Sequence, residues 1–229
     1  MEILDNFKKR ADEVNIYFEF ATKTDEIETY KQNKTDFSAN ITRDLQKILR
    51  ANCFLLLYNL VEATIKNSIW QIYDTIEDEN LKYDCISEKM KEIWLEEKRK
   101  ELNELTSSNK VKKSIKSFIE KSENEHFISF SKERVSVSGN LDYRSIEKLI
   151  IKYGFFGQLN INNEKILRKA LLKIKSERNA LAHGNKSFRE SAEIITIQQL
   201  NEYKVEVIDY LLQITLNVIK YIKDEKYKN

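Results

Sequence analysis

Apolar positions recur along this chain mostly at helical intervals. Ile3, Phe7, Val14 and Phe18 predict an amphipathic helix from Ile3 to about Phe20. Residues 22–38 are polar and predict structure that is irregular at least in part. A long helix is then predicted from about Ser38 to Glu77. Its middle, Cys53-Phe-Leu-Leu-Leu-Tyr-Asn-Leu-Val61, is apolar on nearly every side, the mark of a central helix. A charged helix follows over Ser87 to Leu105, with Met90, Ile93, Trp94 and Leu102 as its apolar side. Ser107-Ser108-Asn109 can cap a further helix over about Lys110 to Ser122.

The period changes between Glu125 and Gly139. Phe127-Ile-Ser-Phe-Ser and Arg134-Val-Ser-Val-Ser alternate, which predicts two short strands or an extended loop. Asn140 or Asp142 then starts a helix through Ile146, Leu149, Ile150 and Tyr153, ended by Gly154. Tyr153, Phe155 and Phe156 fit either a core or a platform on which bases stack. The next helix runs from Asn162 with Ile166, Leu167, Ala170, Leu171 and Ile174 on its buried side. A last helix starts at Thr196, where Thr-x-x-Gln199 forms a capping box. It continues to Ile222 and frays into the charged tail from Lys223 to Asn229.

Composition sharpens the fold class. There is no proline and there are four glycines in 229 residues, so the residues that break helices and build hairpins are nearly missing. The prediction is an all-α bundle of long helices with a short β or extended stretch near 125–140. With no internal repeat or linker, it is one domain over 1–229 carrying an inserted segment at about 81–140. Cys53 lies in an apolar run and reads as a core residue, and two cysteines with two distant histidines do not make a zinc site. No cofactor or metal is expected. The acidic, mixed N-terminus is unlike a signal peptide, and no apolar run looks long enough to cross a membrane, so a cytoplasmic location is expected.

The net charge of +2 hides segregation: residues 1–30 carry eight acids against four bases, whereas residues 164–190 carry eight bases against three acids. A basic segment suits a polyanionic partner, although such faces are commonly just solvated. Within that segment stands Ser176-Glu-Arg178-Asn179-Ala-Leu-Ala-His183-Gly184, which holds one of the two histidines. On a helix Asn179 and His183 share a face about 6 Å apart along the axis, and Arg178 is rotated from His183 by about 140°. Gly184 suits the C′ position, where unpaired carbonyls beside His183 favour a cationic imidazole. Capping and catalysis fit these residues equally well.

If catalysis is the role, the chemistry is phosphodiester transfer. RNA carries its own nucleophile, the 2′-hydroxyl, and needs a base, an acid and positive charge on the crowded phosphorus. Arg178 can meet two phosphate oxygens, Asn179 can hold phosphate or imidazole, and His183 can move the proton. His126 is a poor second proton carrier, so a homodimer with a composite site would supply the missing groups. On the long central helix, Asn52, Asn59, Glu62 and Lys66 fall within an arc of roughly 80°. That stripe is either a solvent face or, with Asn59 and Glu62, a support that orients Arg178. Lys175 and Lys186 flank the motif as candidate RNA contacts.

Arg178-Asn-Ala-Leu-Ala-His183, at the end of one helix and before another, resembles the Arg-polar-x(3–5)-His signature of the HEPN superfamily. The opening helix, Leu57-Tyr-Asn-Leu-Val-Glu62, Asp142-Tyr-Arg to Tyr153-Gly154-Phe155, and Arg178 to Phe188 resemble a stand-alone bacterial HEPN-like nuclease subfamily. The resemblance implies an all-α, metal-independent endoribonuclease acting as a toxin or antiviral defence effector. Arg178 and His183 would be its catalytic pair, Asn179 the supporting polar residue, and an antitoxin or defence-system protein its partner. The alternatives are a non-catalytic RNA- or nucleotide-binding HEPN module, or a helical partner subunit of a defence complex. HEPN toxins silenced by nucleotidyltransferases carry a Tyr two residues after the His; Asn185 stands there in this chain, which does not support that control.

Overall fold

The computed structural model of the chain describes residues 2–27, 41–104, 111–116, 127–135, 137 and 140–229. Its helices are α1 (Glu2–Ile27), α2 (Arg43–Asp78), α3 (Glu88–Asn103), α4 (Tyr143–Tyr153), α5 (Glu164–Ala182), the single turn α6 (Phe188–Ser191) and α7 (Ile197–Lys223). Residues 111–116 are also helical, and 3-10 turns occupy Tyr83–Cys85 and Lys132–Arg134. Among the described residues β pairing is confined to two isolated bridges, Lys82 with Phe127 and Ile86 with Lys228. The fold is all-α. His126, the Ser107–Asn109 cap and most of the 22–38 stretch lie outside the described residues.

The chain forms two compact units. The first comprises Met1–Ile65, Val137–Glu147 and Gln158–Thr215; the second comprises Lys66–Ser136, Lys148–Gly157 and Leu216–Asn229. The expected insertion therefore falls in the second unit up to Ser136, together with the end of α2 and the C-terminal residues.

In the first unit, α1 buries Ile3, Phe7, Ala11, Val14, Phe18 and Ala21, a spacing of three and four that keeps one stripe on the core. This helix runs seven residues past the expected end at Phe20. Nothing in 22–27 breaks a helix, and tertiary bonds hold the extra turns: Gln46 donates to the Thr24 carbonyl at 2.9 Å and Asn201 to the Thr22 hydroxyl at 3.0 Å. Ala51, Cys53, Phe54, Leu57, Tyr58, Leu60, Val61 and Ile65 of α2 are all buried. Burial pushes the Cys53 thiol up to about 12, as suits an inert core cysteine. By length and composition α2 could cross a membrane, contrary to expectation; half of its most apolar window is buried inside the fold. The expected capping box of α7 is present, Gln199 N–H donating to the Thr196 hydroxyl at 3.2 Å and Thr196 N–H to the Gln199 side chain at 3.3 Å.

The second unit is built around Tyr73. Its ring stacks on Phe130 at 4.4 Å, and its hydroxyl bonds the Glu97 carboxylate at 2.9 Å and the Tyr153 hydroxyl at 3.2 Å. Tyr153 and Phe155 are buried here, whereas Phe156 is exposed beneath the Lys89 ammonium. Residues 127–131 form no strand beyond the Phe127 bridge, and of the second alternating stretch the described residues Arg134, Val135 and Val137 are in none. Ile128 and Phe130 do turn inward, but Phe130 N–H donates to Glu77 and Ser131 N–H to Glu97, at 2.9 and 3.1 Å. Helix carboxylates thus take the amides that a ladder would need. The tail does not fray either: Tyr227 is buried, its hydroxyl donates to Glu79 at 2.7 Å, and its carbonyl accepts Ser87 N–H at 2.8 Å.

Candidate active site at the end of α5

Local chemistry sets where α5 begins, which face it buries and where it stops. Asn163 caps the start by accepting Ile166 N–H at 3.1 Å. Leu167, Ala170, Leu171, Ile174 and Glu177 form the buried stripe. At the far end Gly184 takes φ +68°, Gly184 N–H donates to the Leu181 carbonyl, and Asn185 N–H reaches back to the Ala180 carbonyl at 2.8 Å. That pair of bonds is a Schellman stop, which only a residue tolerant of positive φ makes cheaply. His183 is thereby fixed as the C-cap and is exposed; its own N–H donates to the Asn179 carbonyl at 3.0 Å.

Arg178 is half-buried and held on three sides. Its Nη1 donates to Asn179 Oδ1 at 3.0 Å, its Nη2 lies 3.8 Å from Glu62 Oε2, and its guanidinium carbon sits 4.5 Å from the centre of the Tyr58 ring. The Glu62 contact is an ion pair too long for a direct hydrogen bond, so charge rather than bonding geometry links the two. Asn179 in turn donates through Nδ2 to Asn140 Oδ1 at 2.7 Å. Its side chain is thus engaged with Arg178 and Asn140. Asn59, one turn before Glu62, is exposed.

The expected RNA-contacting lysines already hold carboxylates. Lys175 Nζ lies 2.6 Å from Asp142 Oδ2, and Lys186 Nζ lies 2.9 Å from Glu177 Oε1. Burial raises the Asp142 carboxyl, but hydrogen bonds from Lys175 and Ser145 outweigh it and hold the group down at about 2. Glu177 is 2% exposed and also accepts from Lys173 at 2.7 Å and from the Ser191 hydroxyl at 2.8 Å. Burial opposes its ionisation, and those bonds still keep it below the ordinary carboxylate range. It ties α5, the turn after His183 and α6 together, and α6 opens with its own capping box at Ser187 and Glu190.

A family model describing the HEPN_MAE_28990-like HEPN family matches residues 1–227. The chain belongs to the HEPN superfamily. No curated protein and no solved structure matches it. Membership puts this HEPN chain among nucleases and RNA-binding modules of all-α fold.

The structure brings Arg178, Asn179 and Glu62 together and leaves His183 at the open end of the same helix. Three residues of the site escaped the sequence reading. Tyr58 lies one turn before Glu62 on α2 and passes for one more apolar residue of that helix. Asn140 looks like a helix start and nothing more. Glu177 carried a signal: a carboxylate three residues after Ile174 falls on the buried stripe, where a charge needs partners.

Proposed function

We propose that this HEPN chain is a metal-independent endoribonuclease that cuts RNA through the substrate's own 2′-hydroxyl. The reading is carried by the Arg-x4-His spacing as it lies in the fold: Arg178 braced by Asn179, Tyr58 and Glu62, with an exposed His183 at the C-cap five residues on. Family membership supports the same chemistry.

The 2′-oxygen attacks phosphorus and the bond from phosphorus to the 5′-oxygen breaks, leaving a 2′,3′-cyclic phosphate and a free 5′-hydroxyl. One imidazole removes the 2′-hydroxyl proton, and a second must protonate the departing 5′-oxygen. Each chain offers one imidazole in this motif, so the working unit is a homodimer in which two copies of His183 and Arg178 line one cleft. Arg178 opposes the charge that grows on the phosphoryl oxygens, and a guanidinium already braced loses little freedom in doing so. The cellular role that fits is a toxin or antiviral effector acting in the cytoplasm, restrained by a partner protein.

The test is incubation with RNA in EDTA. Wild type is expected to cut, and His183→Ala to lose at least a hundredfold in rate, the scale of general acid–base catalysis. Cleavage that survives in His183→Ala, or that requires added Mg²⁺, overturns the proposal. RNA that is bound but never cut identifies a binding module instead.

A further inference from the structure

Asn140, Leu141 and Asp142 are successive residues, and each is tied to the surroundings of Arg178 by a different bond. Asn140 Oδ1 accepts from Asn179 at 2.7 Å, Leu141 N–H donates to the Tyr58 hydroxyl at 3.3 Å, and Asp142 pairs with Lys175 at 2.6 Å. The Asn140 carbonyl also accepts from the Ser145 hydroxyl at 3.3 Å, so its backbone is held independently of its side chain. The order of donors and acceptors has one consistent direction. Arginine has only donors, so the Asn179 oxygen must face Arg178. The Asn179 amide nitrogen is then left pointing away, and an acceptor is needed there to keep the group from turning over. Asn140 supplies that acceptor.

We infer that Asn140 is a positioning residue for Arg178, acting through the Asn179 side chain. The inference rests on the nuclease reading for its kinetic consequence but not for its geometry. Asn140 fixes the Asn179 amide, and the Asn179 oxygen fixes the plane of the guanidinium over Tyr58. Loss of that acceptor leaves the Arg178 charge in place and removes only its aim. Binding of RNA should therefore survive while turnover falls.

The test uses the full-length protein and four variants: Asn140→Ala, Asn140→Asp, Asn179→Ala and the double variant Asn140→Ala with Asn179→Ala. Exchange of the Asn179 side-chain amide protons, followed by NMR without RNA, reads the relay directly. Protection is expected in wild type, lost in Asn140→Ala and kept in Asn140→Asp, which retains an acceptor. In RNA cleavage, Asn140→Ala is expected to lower kcat about fivefold at unchanged KM, the scale of one solvent-accessible hydrogen bond, with Asn140→Asp restoring most of it. In the Asn179→Ala background the Asn140 change should cost nothing further. Equal amide exchange in wild type and Asn140→Ala overturns the inference. So does an undiminished Asn140 effect without Asn179, or a kcat in Asn140→Asp as low as in Asn140→Ala. Should wild type cut no RNA, the nuclease reading fails, and the amide exchange still decides the relay.

Discussion

Each compact unit buries a glutamate, and the two carboxyls are shifted in opposite directions. Glu177 in the first unit is 2% exposed and takes bonds from two ammonium groups and a hydroxyl. Glu97 in the second is 8% exposed and takes bonds from the Tyr73 phenol and Ser131 N–H, with no ion pair among the described residues. Burial works against ionisation in both. It wins at Glu97, whose carboxyl is raised, and loses at Glu177, whose carboxyl is lowered. Full charges offset desolvation where neutral donors do not. Beside the motif, the result is a carboxylate that stays ionised and fastens the turn after His183.

The contrast breaks first at Glu177. Replacement by Leu strands the Ser191 hydroxyl and leaves two lysines without their shared anion. Because Lys173 and Lys186 are each near 40% exposed and can turn to water, the loss should be about 2 to 3 kcal/mol, short of a fully buried pair. Urea unfolding of the variant checks it, and a change under about 0.5 kcal/mol would mean that the clamp is ornamental.

Next come two glycines with left-handed backbones, one in each unit. Gly154 has φ +81° and a side chain there would meet Lys89 Cδ at 3.1 Å and Tyr221 at 3.5 Å; Gly184 has φ +68° and open space. Gly184→Ala should cost about 1 kcal/mol from the backbone alone, and Gly154→Ala about 2 from backbone and crowding together. Equal thermal shifts for the two would refute the role of the crowding.

The smallest effect sharpens the comparison most, because its sign differs. Folded Glu177 binds fewer protons than an ordinary glutamate near 4.5, so its contribution is complete above that pH and is lost as pH falls through its lowered value. Folded Glu97 binds more protons, so its contribution is complete below that pH and is lost as pH rises through its raised value. Unfolding midpoints from about pH 3 to about pH 7 should flatten on the acid side in Glu177→Gln and on the upper side in Glu97→Gln. The same direction of change in both variants would contradict the assignment.

Much of the fold was legible because its causes are local. The stripe of Ile3, Phe7, Val14 and Phe18, the Gly184 stop and the Thr196–Gln199 box all act within a few residues. What escaped depends on partners far along the chain. The alternation over 127–131 reads as a strand until Glu77 and Glu97 claim its amides. Tyr227 stands alone in a charged tail, and only its burial against distant residues shows why the tail is ordered. At the site, Arg178, Asn179 and His183 were legible as a spacing. Tyr58 and Asn140, which hold Arg178 and Asn179, lie 120 and 39 positions from their partners, and no local pattern marks them.

On the proposed mechanism the RNA supplies its own 2′-hydroxyl as nucleophile, at a phosphate held by Arg178 and His183. Wild-type protein in EDTA, given an RNA and the same sequence fully 2′-O-methylated, tests it most directly, with the product ends read by mass. Expected are 2′,3′-cyclic phosphate and 5′-hydroxyl ends from the RNA and no cleavage of the methylated strand. Cleavage of the methylated strand, or 5′-phosphate ends from the RNA, would contradict the claim.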